Sequence, residues 1–398
     1  VSATSSILYE HVLFASHGEQ KTGAERSLVA LVRATRESQV ARRISIVLPK
    51  PGPIEDLLRE IEGVTIAYRS TRHWMSPTTT RARQIARTTS ALLDVLPWVV
   101  LLRRIEPDLV IVNSSVTPAP LFASLLLGRK VVAYVRESFL GSSRALESIL
   151  PKKVILRALR KATCTVAVSD YVSETLGGAD LVCWPDPEAP SLKPSHEASS
   201  VPGRVRAVML GSVFREKGQL DAVLAVLEAR RNGADVTLDI YGSGSARSIE
   251  RLRDAIEAGG GQEHIRYHGP TDDAWGVYSR ADVSLVCSSE EAYGRVTAES
   301  ILVGTPVVGY DLGGTREILR AGGGILTAPD PSSLAEALCD VSTDPSRLAD
   351  LRRDCALRAE SRYGFGDART TMRRIIDFVE GVGPDPQNPP PLPTSEAA

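Results

Sequence analysis

Short runs of apolar, often β-branched residues recur from one end of the chain to the other, separated by stretches of helical character. In the first half the runs are VLFAS from Val12, ISIVLP from Ile44, VTIAY from Val64, DLVIVNS from Asp108, KVVAYVRE from Lys130 and CTVAVS from Cys164. In the second half they are RAVMLGS from Arg206, VTLDIYG from Val236, IRYHG from Ile265, VSLVCSS from Val283 and PVVGYD from Pro306. Their interiors are nearly continuously apolar rather than alternating, the pattern of strands buried on both faces of a parallel sheet. Segments 24–36, 218–230, 246–258 and 295–303 between them are long enough for helices. In the first, Leu28, Leu31 and Val32 make an inward stripe. Such alternation predicts right-handed crossovers and an α/β chain of doubly wound parallel sheets.

At 398 residues the chain is too long for one ordinary core, so two domains are expected. The stretch WPDPEAPSLKPSHEASSVPGR from Trp184, rich in Pro and Ser, has the composition of a linker. The expected organisation is a Rossmann-like domain over 1–190, a linker at 191–204 and a second Rossmann-like domain over 205–362. A terminal helix at 363–382 returns to the first domain, and a proline-rich disordered tail occupies 383–398.

Composition adds constraints. With 43% hydrophobic and 24% charged residues the chain is of ordinary globular character. The overall charge of −1 hides an asymmetry, since residues 1–190 carry +6 and the remainder −7. A basic first half attracts an anionic acceptor or a membrane surface. The five cysteines are scattered without a C-x-x-C pair and read as thiols in a reducing compartment. No charged-then-apolar leader and no run near 18 uninterrupted apolar residues are present, so a cytoplasmic protein is expected. The six His form no metal-binding cluster and no Asp-x-Asp occurs, so no metal is expected; neither is a nucleic-acid partner. The chain also lacks G-x-G-x-x-G and G-x-x-x-x-G-K-[ST], which disfavours NAD-binding and P-loop readings.

The strongest chemical signal is EAYGRVTAESILVGTPVVG from Glu291. It follows a buried strand and leads into a helix, so Glu291 stands at the strand's carboxyl end, where open α/β sheets bind ligands. Tyr293, Gly294, Arg295 and Val296 form a turn whose backbone N–H groups suit an anion or sugar hydroxyls. Glu299 lies one helical turn further on, and the two carboxylates are spaced to grip two diols. This segment resembles the signature of the retaining glycosyltransferases of family 4, where two Glu flank seven residues around an aromatic–Gly turn. The resemblance covers about residues 10–380 and implies the GT-B fold, two Rossmann-like domains facing a cleft. It further implies that Glu291 binds the donor's sugar hydroxyls and Glu299 its ribose, with the backbone at 293–296 near the sugar and diphosphate.

Other loops fit the same scheme. After the strand at Arg206, Gly211 permits close backbone approach, and Arg215 and Lys217 can reach a pyrophosphate from one loop. Fixed positive charge there stabilises a departing nucleoside diphosphate. Family 4 members commonly carry Gly-Arg here; Ser212 takes the Arg position, leaving Arg215 to supply the charge. Lys217 and Gly218 are expected to open the next helix, placing an uncompensated cation at its start. The loop GEQKTGAE from Gly18 resembles the family's small-residue loop, with Gly23 and Ala24 bringing N–H groups to the donor phosphate. Arg136 and Glu137, at the tip of the strand from Lys130, stand where many family members have His-Asp. They are candidates for the acceptor side together with Asn113 and Ser114, with a plain salt bridge between the neighbours as the other reading. YGSGS from Tyr241 and DLGGTREIL from Asp311 are further glycine turns, the second resembling the family's Gly-Gly-x-x-Glu segment.

Residues 69–104 carry seven Arg against one acid, Asp94, with Trp74, Trp98 and the run ALLDVLPWVVLL. This reads either as a surface that lies on an anionic membrane or as a core helix broken near Pro97 with a solvated face. The expected function is sugar transfer from a nucleoside-diphosphate sugar to a hydroxyl of a glycan or glycolipid acceptor, with retention, in bacterial envelope glycan or polysaccharide synthesis. It would proceed without a cofactor, in the cytoplasm or at the inner face of the membrane. The rivals are a sugar-nucleotide 2-epimerase of the same fold and a non-catalytic sugar-nucleotide-binding partner of another transferase.

Overall fold

The computed structural model describes residues 8–75, 80–139, 148–187, 203–361 and 365–382. Most of the expected linker and the whole proline-rich tail lie outside the described residues. Within the described residues, one compact unit takes 8–187 and 366–382, and the other 203–365.

The first unit is built on β1 (Tyr9–Ala15), β2 (Ala41–Leu48), β3 (Val64–Tyr68), β4 (Leu109–Val112), β5 (Lys130–Val135), β6 (Cys164–Ala167) and β7 (Leu181–Val182). They form one parallel sheet in the order β3-β2-β1-β4-β5-β6-β7. Val12, Leu13 and Phe14 of β1 are buried on both faces, as their continuous apolar run predicts. The helix Ala368–Val379 packs on the helix Gly23–Glu37 of this same unit. It is tied down by Arg369 to Glu37 (2.7 Å), by Arg374 Nη1 donating to the Val182 carbonyl (2.8 Å), and by Lys130 to the adjacent Glu380 (2.8 Å).

The second unit contains β8 (Arg204–Leu210), β9 (Asp235–Tyr241), β10 (Ile265–Gly269), β11 (Val283–Val286), β12 (Val307–Tyr310) and β13 (Gly324–Thr327). All pair in parallel, in the order β10-β9-β8-β11-β12-β13. Its core joins Val236, Leu238 and Leu285 of the sheet to Val223, Val226 and Leu338 of the covering helices. Among the described residues, eleven of the thirteen strands coincide with the apolar runs. The other two, the two-residue β7 and the four-residue β13, lie at sheet edges and are mostly half-buried, so they lack a fully apolar run.

Each sheet reverses its winding once, between β1 and β4 and between β8 and β11. At such a switch point the two carboxyl-end loops diverge to opposite faces and leave room for a ligand. The five cysteines are free thiols, four of them buried, and burial pushes the thiols of Cys183 and Cys355 up to about 11 and about 12. The basic segment forms two successive helices, Arg81–Leu93 and Val95–Ile105. They join at Asp94, not near Pro97, which sits in the first turn of the second helix where a missing N–H costs nothing.

Candidate active site

In the second unit, the glycine just after β8 packs against the glycine just after the neighbouring β9. Gly211 and Gly242 have φ of 145° and 155°, and a Cβ on Gly242 would lie 1.8 Å from the Gly211 carbonyl oxygen. Beyond Gly211 the chain makes one 3₁₀ turn, Arg215–Lys217, before the helix Gln219–Arg231. Lys217 therefore closes a separate turn instead of opening the helix. Gly218, at φ 74°, caps the helix in the left-handed region. A Cβ there would stand 2.2 Å from the Cys287 carbonyl oxygen, so the turn is seated directly on the end of β11. The Ser289 N–H donates to the Glu216 carbonyl (2.9 Å) and fixes the same contact.

This seating brings Lys217 and Glu291 together. The ammonium of Lys217 donates to Glu291 Oε1, which also accepts from Ser288 Oγ at 2.8 Å. The cation that looked uncompensated in sequence thus has a carboxylate partner. Glu291 is held by its backbone too, since the Gly314 N–H donates to the Glu291 carbonyl at 2.8 Å. A Cβ on Gly313 or Gly314 would meet the carbonyl oxygens of Glu291 at 2.4 Å or Tyr293 at 2.0 Å, so the turn after β12 interlocks with the one after β11. Gly294 (φ 90°) caps the eight-residue helix Arg295–Leu302. One turn in, Arg295 Nε donates to Glu299 Oε1 at 2.6 Å, so the second carboxylate also has a basic partner. Val296 follows Arg295 at the start of this helix, where the first N–H groups lack intrahelical acceptors. The Ser212 carbonyl accepts from Gln219 Nε2 at 3.0 Å, while the Arg215 side chain is exposed. Tyr278 is fully buried close by; burial, then the Glu299 carboxylate, push its phenol well above the ordinary value.

In the first unit the loops after β1, β4 and β5 meet. Gly23 and Ala24 form the first turn of the helix Gly23–Glu37. Asn113, fully buried after β4, donates through Nδ2 to the Ala24 carbonyl at 3.2 Å and accepts from Arg136 Nε at 2.9 Å. The Arg136 guanidinium lies 4.3 Å over the Tyr134 ring. Glu137 turns to other partners: it accepts from the Ser115 N–H (3.1 Å), Ser115 Oγ (2.7 Å) and the hydroxyl of Ser114. The two side chains thus reach different groups, while the Arg136 N–H itself donates to Glu137 Oε2 at 3.2 Å.

Sequence reasoning missed a titratable set in these same loops. Glu25 is buried, accepts from the Thr22 hydroxyl and lies 3.2 Å from His17 Nε2. His73 Nε2 lies 3.2 Å from the His17 carbonyl, and burial lowers the His73 imidazole below its usual range. The Thr22-x-x-Glu25 spacing, a capping-box pattern, carried a signal for Glu25; nothing local marks His73. Among the described residues no three His, Cys, Asp or Glu side chains group as metal ligands.

Residues 204–344 match the family described as glycosyl transferases group 1. The D-inositol 3-phosphate glycosyltransferase of Arthrobacter sp. (strain FB24) is 32% identical over 54% of this chain and 51% of its own length. The phosphatidyl-myo-inositol mannosyltransferase of Mycobacterium leprae is 35% identical over 55% of this chain and 60% of its own. The chain thus spans about half to three fifths of the length of these curated relatives. Among solved structures, the Anabaena protein Alr3699/HepE in complex with UDP and glucose superimposes with a TM-score of 0.71. It covers 93% of this chain and 99% of its own at 19% identity, and so shares the fold.

Proposed function

From the premise that residues 204–344 belong to glycosyl transferases group 1 within a GT-B architecture, we propose that this protein is a retaining glycosyltransferase. It moves a sugar from a nucleoside-diphosphate sugar to an acceptor hydroxyl. The observation that carries the reading is the Lys217–Glu291 contact at the carboxyl ends of β8 and β11, bounded by the glycine turns at 211, 218, 294 and 313–314. In this reading Arg215 and Lys217 stabilise the departing diphosphate. Glu291 holds the sugar hydroxyls, Glu299 the ribose, and the backbone at 293–296 lies against the sugar and diphosphate. Gly211 and Ser212 complete the donor contacts within this unit. The leaving phosphate oxygen takes the acceptor hydroxyl's proton on the face from which it departs, so no protein nucleophile and no metal are required.

A uridine nucleotide is the first donor to test, because the Anabaena structures hold UDP or UDP-glucose. An anionic, hydroxyl-rich glycan or glycolipid acceptor is supported by the net +6 of residues 1–190 and by the inositol-containing names of two relatives. We place the enzyme in bacterial envelope glycan or polysaccharide synthesis, in peripheral contact with the cytoplasmic face of the membrane. A second reading, a sugar-nucleotide 2-epimerase, is favoured by the His17–Glu25 pair and its neighbour His73, the acid–base groups such a reaction needs.

The test is thermal stabilisation by UDP-, GDP- and ADP-sugars, since a ligand that binds only the folded state raises the melting temperature. The best-stabilising donor is then incubated with acceptor lipid extracts and EDTA, and separately alone. Transfer in EDTA supports the proposal. An epimer formed from donor alone favours the second reading, and stabilisation by none of the three sugar nucleotides overturns both.

A further inference from the structure

The two helices Arg81–Leu93 and Val95–Ile105 are committed to the core on one side only. Thr88, Ala91, Asp94, Trp98 and Leu102 face inward at spacings of three and four residues and are buried. Trp98 Nε1 donates to Thr71 Oγ1 at 3.2 Å. The carboxylate of Asp94 accepts from the Arg72 backbone N–H (2.9 Å) and pairs with the Arg72 guanidinium (3.0 Å).

A solvated helix carries polar residues along its outer side; between the terminal arginines of this one the exposed positions are mostly apolar, with Thr89 the polar exception. Leu93, Leu96 and Val100 are 63%, 67% and 67% exposed, and Ile85 and Leu92 extend the same stripe toward the amino end. From Ile85 to Val100 it runs roughly 22 Å at 1.5 Å per residue. Exposed arginines stand at both ends, Arg81 and Arg83 at one and Arg103 and Arg104 at the other. Asp94, the one acid in the 25 residues, faces inward and is paired; the nearest exposed carboxylate, Glu106, caps the segment beyond the last arginines, so the four exposed guanidinium groups outnumber it.

We propose that this outer face is a docking surface for an anionic phospholipid bilayer, with the apolar stripe in the acyl–headgroup boundary and the terminal arginines on lipid phosphates. This gives the membrane contact of the proposed function, on which it otherwise does not depend, a definite set of residues. Apolar side chains between clusters of arginine suit an interface in which hydrocarbon lies beneath a layer of phosphate, and the planar guanidinium fork matches that phosphate. By length and composition Arg81–Ile105 is also apolar enough to cross a membrane. Its inner face argues against crossing: spanning would pull Trp98 and Leu102 from the core and place Asp94, parted from Arg72, in hydrocarbon. The segment lies in the interface of the bilayer without crossing it.

Full-length protein without donor is sedimented with vesicles of zwitterionic lipid and with the same lipid mixed with an anionic phospholipid, from low to physiological ionic strength. The parent pellets with the anionic vesicles and releases as salt screens the arginines. Leu93→Asp/Leu96→Asp, on an exposed face, keeps the parent's melting temperature and binds at least about tenfold more weakly. Arg103→Glu/Arg104→Glu lowers the salt concentration at which release occurs. A parent that stays in the supernatant at low ionic strength overturns the proposal. So does a double-Asp variant that pellets like the parent, or a parent that self-associates through this face and ignores vesicles. Donor stabilisation is measured separately, so loss of vesicle binding with intact donor binding discards the surface and leaves the enzyme reading standing.

Discussion

Lys217 and Glu291, 74 residues apart in sequence, meet through an ammonium–carboxylate hydrogen bond where the turn after β8 rests on the loop after β11. The cation proposed for the diphosphate is thus paired with the carboxylate proposed for the sugar. Binding of donor would give each a new partner. Lys217→Ala is expected to lower the transfer rate on the order of 10²–10³-fold. It also leaves the largely buried Glu291 carboxylate without its cation, at a stability cost of about 1–3 kcal/mol. Adding Glu291→Gln to Lys217→Ala should recover most of the melting temperature and none of the rate. A single variant with the parent's activity would remove Lys217 from the reaction.

The pairing of Glu299 with Arg295 separates the two carboxylates in a second way. If Glu299 holds ribose, Glu299→Gln weakens binding of free nucleoside diphosphate by roughly 10-fold or more, because a charge-assisted bond is lost. Glu291→Gln should leave free diphosphate binding nearly unchanged while raising KM for the whole donor. Calorimetry with diphosphate and with intact donor checks both, and equal losses of diphosphate affinity would contradict the assignment.

Asn113 links Arg136 to the first turn of the helix bearing Gly23 and Ala24. Arg136 and Asn113 are thereby expected to position the donor-side loop as well as face the acceptor. An aspartate at 113 still accepts from Arg136 and has no N–H for the Ala24 carbonyl. Asn113→Asp should therefore raise donor KM by about 10-fold, within the range that small misplacements produce, with acceptor KM changed less. An unchanged donor KM, measured with melting temperature alongside, would confine Asn113 to a packing role.

Two imidazoles set an acid limit on stability. Burial, then the charge of Arg43, hold His11 below the ordinary range, and burial does the same for His73. Because the folded-state values are the depressed ones, the unfolded chain takes up these protons first as pH drops. Stability from this source is level above about pH 6.5 and declines as the pH falls below it. Urea midpoints across that interval should show the decline. His11→Asn, which offers Ser45 a non-titrating amide, should make it shallower.

The sequence by itself determined the two doubly wound sheets and the glycine-rich loops at the carboxyl ends of their strands. Strands buried on both faces must be apolar throughout, and a strand–helix–strand order leaves few topologies for a parallel sheet. The Glu291 and Glu299 spacing and the lone glycines were legible for the same reason: they are local demands of turn and helix geometry. Partners were not legible, because a contact between residues 217 and 291, or 25 and 17, depends on where separate loops come to rest. Lys217 read alone was a bare cation at a helix start; the seating of Gly218 on the Cys287 carbonyl gave it Glu291. Arg136 and Glu137 read as a neighbouring pair, and the register of β4 beside β5 turned them to Asn113 and to Ser114 and Ser115. Two readings of the helices from Arg81 were open in sequence, the core helix somewhat ahead of the membrane surface, since both need an apolar stripe. Only the tertiary structure decided which apolar residues fill the core, leaving Leu93, Leu96 and Val100 facing outward, because burial of one helix face consumes Ala91, Trp98 and Leu102 and no more.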